Sequence, residues 1–185
     1  MIDDEKFIRG KVPMTKREIR TLTLAAAQLA SDSVAVDVGA GTGSISVEAA
    51  LIARRGKIFA VERNSEAVEL IRRNAEKFSV DVEIIHATAP DGLDALPALD
   101  AAIVGGSGGN LEKILDALLG KLKVGGRIVL NAITLQTTAA ALEYFRARKI
   151  SCDASQIQIT RLERVGRYDM AHALNPVTII AAEKF

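Results

Sequence analysis

Residues that bind metals or form disulfides are scarce in this chain. Cys152 is its only cysteine, which excludes an internal disulfide and a cysteine-rich metal site. The two histidines, His86 and His172, are too few for a zinc centre of the usual kind, and we expect His86 to be structural. The sequence therefore predicts that the protein holds no metal.

The chain also lacks an excess of positive or negative charge. The 24 basic and 23 acidic side chains give a formal net charge of +1, so no global field favours nucleic acid or a membrane surface. The longest uncharged stretch, residues 128–142, is shorter than the roughly 20 apolar residues that span a bilayer. The first five residues are acidic where a signal peptide is basic. We therefore expect a cytoplasmic protein that binds neither nucleic acid nor membranes.

The chain of 185 residues has the size of one domain and leaves no room for a second, substrate-carrying domain. We expect a single domain over residues 1–185, with residues 1–14 as an N-terminal arm. Thr15 and Glu18 then match a capping box. This pattern predicts that Thr15 caps the helix that follows, unless the residue has a separate function.

One glycine-rich stretch organises the rest of the chain. The apolar run Val34–Val38 is followed by Gly39-Ala40-Gly41-Thr42-Gly43 and by a helical pattern that we expect to stop at Gly56. A dinucleotide-binding turn requires G-x-G-x-x-G, but Ser44 stands where the third glycine belongs. The spacing G-x-G-x-G, preceded by Asp37, therefore favours a ligand without a pyrophosphate.

The next predicted strand, residues 57–62, ends in the carboxylate of Glu62, which is placed to accept hydrogen bonds from both hydroxyls of a ribose. Together with Asp37 and the glycine turn, Glu62 resembles the first two motifs of the class I S-adenosyl-L-methionine (SAM) methyltransferases. A carboxylate has the same role in NAD enzymes, so Glu62 alone does not discriminate. The resemblance implies an α/β fold with a seven-stranded, mostly parallel sheet and a C-terminal antiparallel hairpin.

The C-terminal third departs from the alternation of strands and helices. Residues 156–163 alternate polar and apolar side chains, which is typical of an edge strand, and residues 177–182 form a last apolar strand. We expect residues 164–176 to form a loop between them.

Three features are candidates to meet a substrate. The loop 105–109, Gly-Gly-Ser-Gly-Gly, follows a predicted strand at the ligand edge of the sheet, and its glycines indicate main chain that another group approaches closely. Arg161, Arg164 and Arg167 would ordinarily form a solvated face, but clustered arginines also suit a polycarboxylate. Asn131 lies in an apolar strand, where its amide serves either the backbone or the cleft.

Several segments taken together resemble the CbiT family, the decarboxylating precorrin methyltransferases of cobalamin biosynthesis, which also occur as the C-terminal half of the fused enzyme CobL. The segments are residues 13–20, 36–44, 89–90, 104–109, 125–128, 130–135 and 175–177. The family's usual Gly-Asp-Ala-Pro reads Ala87-Thr88-Ala89-Pro90 here, so no aspartate is available to contact the adenine amino group.

This resemblance implies methyl transfer from SAM to carbon 15 of precorrin-6B or cobalt-precorrin-6B, with loss of carbon dioxide from the acetate on ring C. The residues that it places against the cofactor are Thr15, Gly39, Ala40, Gly41, Thr42, Gly43, Glu62 and Ala89. On the substrate side we expect Gly106, Ser107 and Asn131, with the three arginines binding substrate carboxylates. No side chain stands out as an acid or base, so no catalytic residue is named.

The family is typically a homotetramer, and its fused members imply a functional partner that methylates carbon 5. Three alternatives remain open: a methyltransferase acting on tRNA or on a protein isoaspartyl group, an NAD(P)-binding protein, and a SAM-binding protein without catalysis. A tRNA enzyme ordinarily has a basic surplus or an added module. Ser44 and the absent second domain disfavour NAD(P).

Overall fold

The central strands consist of small and β-branched residues, as a parallel sheet covered on both faces requires. The computed structural model describes residues 1–185. Its helices are α1 (Arg17–Ala27), α2 (Ser44–Ile52), α3 (Ser65–Lys77), α4 (Leu111–Lys121) and α5 (Leu135–Ala147), with a 3-10 turn at Asp4–Lys6. Its strands are β1 (Val34–Val38), β2 (Lys57–Glu62), β3 (Glu83–His86), β4 (Leu99–Val104), β5 (Leu122–Ala132), β6 (Cys152–Ile157), β7 (Thr160–Val165), β8 (Tyr168–Ala173) and β9 (Val177–Glu183).

Seven strands form one sheet in the order β3-β2-β1-β4-β5-β9-β6. The first five are parallel, and β9 runs antiparallel to both β5 and β6. The expected seven-stranded, mostly parallel sheet is therefore confirmed. The strand order reverses at β1, between β2 and β4, and such a reversal opens a crevice beyond the carboxyl ends of the strands.

Two hydrophobic cores lie on the two faces of this sheet, because successive strand residues point to opposite sides. Val36 and Val38 belong to the core that α4 and α5 cover, whereas Ala35 belongs to the core under α1 and α2. The helices thus hold β1 from both sides. None of them combines the length and the apolar character that crossing a membrane requires.

The C-terminal segment differs from the sequence expectation. Residues 156–163 do not form one edge strand, because β6 pairs with β9 and ends at Ile157, while β7 pairs with β8. The expected loop over residues 164–176 is wrong, since β8 lies within it. The hairpin of residues 160–173, here called the ribbon, is a separate two-stranded sheet. Polar–apolar alternation continues across residues 158–159, so it does not reveal where the chain leaves the main sheet.

Two expectations about helix ends are also wrong. Lys16 precedes α1, and no side chain caps that helix, so Thr15 is not part of a capping box. Helix α2 ends at Ile52, and Gly56 instead allows a close backbone contact: a Cβ there would lie 1.9 Å from the carbonyl oxygen of Ser33. Asn64 and Thr134 do cap helices α3 and α5 with their side chains.

Candidate active site

A cavity of about 640 Å³ lies beyond the carboxyl ends of the parallel strands. Its wall combines residues from the N-terminal arm, the glycine turn after β1, the end of β2, the loop after β4, the end of β5 and the residues that flank the ribbon. Segments that are far apart in sequence therefore meet at the edge of the sheet where a ligand crevice is expected.

The glycine turn and the loop 105–109 pack main chain against main chain. Gly39 has φ +72°, and a Cβ on it would lie 2.6 Å from the carbonyl oxygen of Gly106. A side chain at Gly39 would therefore separate the two loops. Gly106 itself faces open space, with no atom within 4 Å of a Cβ built on it. The glycines of loop 105–109 thus allow the glycine turn to pack closely on one side. On the other side they leave main chain exposed to the cavity.

The Glu62 carboxylate is fixed by three backbone N–H groups. Oε2 accepts from Gly41 at 3.0 Å, and Oε1 accepts from Arg63 at 2.8 Å and from Asn64 at 2.9 Å. The first bond ties the end of β2 to the glycine turn. Oε1 thus uses both of its lone pairs, whereas Oε2 keeps one for a ligand, so the carboxylate is oriented in advance to accept a further hydrogen bond.

Asp37 lies on the cavity wall but is 2% exposed. Its Oδ2 accepts a hydrogen bond of 2.6 Å from Ser46 Oγ, whereas Oδ1 is buried without a partner. Burial, against the lowering effect of the hydrogen bonds from Ser46 and together with the nearby charge of Glu62, raises the pKa of Asp37 from 3.8 to about 6. An unpartnered carboxylate oxygen of this kind is suited to a cationic ligand group.

The N-terminal arm closes one side of the cavity, and Arg20 fastens it. The Arg20 side chain is fully buried; Nη1 donates to Asp4 Oδ1 at 3.0 Å and to the Thr15 carbonyl at 2.6 Å. Nε donates to Glu48 Oε1 at 3.1 Å, and Nη2 donates to the Ile2 carbonyl at 2.6 Å. One guanidinium thus joins the arm, the start of α1 and helix α2, which follows the glycine turn.

Asn74 makes a second fastening from inside α3. Its Nδ2 donates to the carbonyl oxygens of Ile8 and Thr42, and its Oδ1 accepts from the Ile8 N–H at 2.7 Å. The arm and the glycine turn are therefore held by one amide. The sequence analysis did not identify Asn74 or Arg20, although a polar residue within the apolar stripe of a helix was an available signal.

Most of the residues predicted to contact a cofactor or substrate line this cavity. These are Thr15, Gly39, Ala40, Gly41, Glu62, Ala89, Gly106, Ser107 and Asn131. Thr42 and Gly43 are not on its surface: Thr42 is 1% exposed, and Gly43 packs against Ile71 at the start of α2. His86 lies outside as well, with Nε2 3.1 Å from the carbonyl oxygen of Arg63.

The three arginines of the ribbon lie outside the cavity, which argues against the expected role in binding a substrate. Arg161 Nη2 pairs with Glu18 at 2.8 Å and with Asp4 at 3.2 Å, so its charge is neutralised within the fold. Arg164 is exposed on the ribbon, and Arg167 lies over the Tyr168 ring. Sequence clustering misled here, because Arg161 and Arg164 are an odd number of residues apart in β7 and so point to opposite faces.

The cations that do line the cavity are Lys11, Lys16 and Arg63, and the sequence analysis did not select them. None has a carboxylate within ion-pair distance, in contrast to Arg161. They occur singly rather than in a cluster, so only the tertiary structure brings them together.

Comparison with known proteins places this site in a family. The profile of the precorrin methyltransferase domain matches residues 6–184. The chain belongs to that family. A relative from Pyrobaculum calidifontis, called a probable cobalt-precorrin-6B C(15)-methyltransferase (decarboxylating), is 43% identical over 98% of this chain and 94% of its own. The Salmonella typhimurium protein of that name, without "probable", is 38% identical over 98% of this chain and 95% of its own.

The fold is shared over the whole chain with a solved member of the same group. The crystal structure of the precorrin-6y C5,15-methyltransferase from Geobacter metallireducens has a TM-score of 0.94 and 41% identity, and covers 100% of this chain and 98% of that one. The class I methyltransferase fold expected from the sequence is therefore confirmed. The resemblance to the decarboxylating precorrin methyltransferases is confirmed as well.

Proposed function

We propose that this protein transfers a methyl group from SAM to carbon 15 of precorrin-6B or cobalt-precorrin-6B, with loss of carbon dioxide from the ring C acetate. The observation that carries the proposal is the single cavity in which Asp37, Glu62 and the bare glycine turn lie, in a chain of the precorrin methyltransferase family. The names of full-length relatives supply the carbon position and the decarboxylation.

The residues of the cavity fit SAM. The buried carboxylate of Asp37, with its unpartnered Oδ1, would attract the α-ammonium group of the methionine part, and the fixed Glu62 carboxylate is suited to a ribose hydroxyl. Thr88 and Ala89 lie on the wall where the adenine would follow. When bound, SAM supplies a methyl group that its sulfonium has already activated.

The chain then contributes orientation and exclusion of water. Holding the nucleophilic carbon in line with the methyl group can lower the barrier by roughly 7–11 kcal/mol. The arm, fastened by Arg20 and Asn74, covers the cavity on one side. The conjugated ring of the substrate can accept the electron pair that the departing carbon dioxide leaves behind, as a cofactor does elsewhere. No residue of the wall is assigned as an acid or base.

We also propose that the protein is a homo-oligomer, a tetramer by family resemblance, and that a separate enzyme methylates carbon 5. The exposed two-stranded ribbon supports the first part, because a hairpin of two strands is at best marginally stable by itself. The likeness of this chain to the C-terminal domain of the precorrin-6Y C5,15-methyltransferase from Rhodobacter capsulatus supports the second part.

Mass spectrometry of the products tests the proposed reaction. The protein is incubated with methyl-labelled SAM and isolated cobalt-precorrin-6B, or the metal-free form, and we expect one labelled methyl added and one carbon dioxide lost. Comparison of the two substrates shows which form is used. Methyl transfer to neither form, together with labelling of tRNA or protein under the same conditions, would contradict the assignment.

A further inference from the structure

The side chain of Asn110 does not cap the helix that it precedes. Asn110 occupies the N-cap position of α4, where an asparagine oxygen usually accepts a hydrogen bond from the first turn, but no such bond is made. Its Nδ2 instead donates to the carbonyl oxygen of Ala89 at 3.1 Å. A carbonyl oxygen only accepts, so this contact fixes which end of the amide faces Ala89. The side chain thus forgoes a local bond and makes one across 21 residues of sequence.

Asn110 joins two loops that form part of the cavity wall. Its backbone N–H donates to the Ser107 carbonyl oxygen at 2.9 Å and closes the loop 105–109, which packs against the glycine turn. Its side chain holds the loop 87–90, which follows β3. The glycine turn and the two loops are therefore linked in series, and Asn110 is the link between the loops.

The loop 87–90 has only one other hydrogen bond to a distant segment. Ala87 N–H donates to the Glu62 carbonyl oxygen at 3.1 Å, and the remaining bonds are local turns. The N–H groups of Thr88 and Ala89 make no hydrogen bond within the chain, and both residues line the cavity. These two donors are available to a ligand, and their positions depend on how the loop is held.

The purine base of SAM suits these donors. In the pairing of β2 with β3, Glu62 lies opposite His86, the residue that precedes the loop 87–90. A base attached to a ribose at Glu62 therefore comes next to this loop. Adenine N1 accepts a hydrogen bond, whereas N1 of hypoxanthine carries a hydrogen and cannot. A hydrogen bond weakens steeply when its angle is poor, so the donor must be held in place.

We propose that Asn110 is a positioning residue for the cofactor. By holding the Ala89 carbonyl, it directs a free N–H group of the loop 87–90 at N1 of adenine and so gives the site its preference for adenine over hypoxanthine. Asn110 is not on the cavity wall and acts only through the loop. This inference rests on the proposed function for the identity of the cofactor.

Two variants remove the donor and keep a residue that caps helices. Asn110→Asp is close to isosteric, but its carboxylate cannot donate to Ala89. Asn110→Ser introduces no charge, and its hydroxyl is one bond closer to the backbone. Lys113→Met is the matched control: it lowers the net charge by one, as Asn110→Asp does, and alters an exposed residue in the first turn of the same helix, away from the cavity wall.

Calorimetry with S-adenosylhomocysteine and S-inosylhomocysteine tests the inference, because the two ligands differ only in the base. We expect the unmodified protein and Lys113→Met to bind the adenosyl compound about tenfold more tightly than the inosyl compound, the equivalent of one hydrogen bond. Both Asn110 variants should bind the adenosyl compound about tenfold more weakly, with little change for the inosyl compound. In urea unfolding without ligand, Asn110→Asp should be no less stable than the unmodified protein, since aspartate is a good cap.

A role in stability alone would weaken both ligands alike. Equal losses for the two ligands, or no loss in either Asn110 variant, would overturn the inference, and so would an unmodified protein that binds both ligands equally. An unmodified protein that binds neither ligand would contradict the proposed use of SAM as well. If the preference for adenine depends on Asn110 but precorrin-6B is not methylated, the proposed reaction is wrong and the positioning role stands.

Discussion

At the scale of single residues, Asp37 is a buried carboxylate with a raised pKa. Its carboxylate is buried beside the cavity with one oxygen unpaired, and burial raises its pKa to about 6. Between about pH 4 and pH 6 the folded protein therefore keeps a proton that the unfolded chain has released. Stability from this group is fully present below the unfolded pKa and is lost as the pH rises through about 6.

Asp37→Asn tests this effect. Asparagine retains an acceptor for Ser46 and never ionises, so without SAM the variant should be more stable than the unmodified protein at pH 8. The expected gain is on the order of 3 kcal/mol, the equivalent of a pKa change from 3.8 to about 6. At pH 4 the two proteins should differ little. Urea unfolding at both pH values measures the free energies.

The same variant reports on the cofactor. If Asp37 binds the ammonium group of SAM, the affinity of the unmodified protein should fall as the pH decreases through 6, whereas that of Asp37→Asn should be weak and independent of pH. Asp81→Asn, which alters an exposed carboxylate, is the control. Equal SAM affinity for Asp37→Asn and the unmodified protein at pH 8 would remove Asp37 from the site.

At the scale of elements, the N-terminal arm depends on a buried ionic cluster. Asp4, Arg20 and Glu48 are each less than 5% exposed, and Arg161 of the ribbon adds a partner for the second oxygen of Asp4. A buried pair adds little to stability in comparison with apolar residues, but the loss of one partner leaves an uncompensated charge. The arm is thus held in place by the Arg20 guanidinium, whose planar fork of N–H donors has fixed directions that a lysine ammonium lacks.

Arg20→Met should release the arm. The variant leaves Asp4 and Glu48 without their buried partner, so we expect a loss of about 3–5 kcal/mol in the free energy of unfolding. Because the arm supplies Val12 and Pro13 to the cavity wall, SAM affinity should also fall, and trypsin should cleave after Arg9 or Lys11 more rapidly. Denaturant unfolding, calorimetry and timed proteolysis measure the three effects.

Arg17→Met is the matched control for this experiment. Arg17 lies on the same helix but pairs with the exposed Asp3, and an exposed pair contributes little to stability. We expect Arg17→Met to leave the arm and SAM affinity as they are. If Arg20→Met shows the same protection from trypsin as Arg17→Met, Arg20 does not hold the arm.

At the scale of the whole molecule, the ribbon is the part that the fold leaves uncovered. Leu162, Val165, Tyr168 and Met170 are 74%, 60%, 57% and 55% exposed. The two strands pair only with each other, so both edges and most of both faces lack a partner within the chain. Exposed apolar side chains on open strand edges are typical of contacts between subunits.

We predict that the ribbon assembles the oligomer. Leu162→Lys with Met170→Lys should reduce the mass found by sedimentation velocity from an oligomer to a smaller species, because the charges cannot be buried between subunits. Val124→Lys changes a residue that is 80% exposed elsewhere and should have no effect. An unmodified protein that sediments as a monomer at micromolar concentration would contradict this prediction.

The sequence alone determined the features that depend on neighbouring residues. Buried runs of small and β-branched residues specified β1, β2 and β4, and glycines at alternate positions specified a turn that bare backbone can form. Strand-end residues such as Glu62 were predictable because the carboxyl ends of parallel strands meet at one edge. The capping side chains of Asn64 and Thr134 accept hydrogen bonds from backbone N–H groups that are only a few residues away in sequence.

Only the tertiary structure decided which distant groups meet. It placed Arg161 against Asp4 and Glu18 rather than near a substrate, excluded Thr15 as a helix cap, and separated the ribbon from the main sheet. It also brought Lys16 and Asn131 to one cavity. Ion pairs and side-chain hydrogen bonds depend on contacts across 100 or more residues, as between Thr23 and Asn131, and no local period records them.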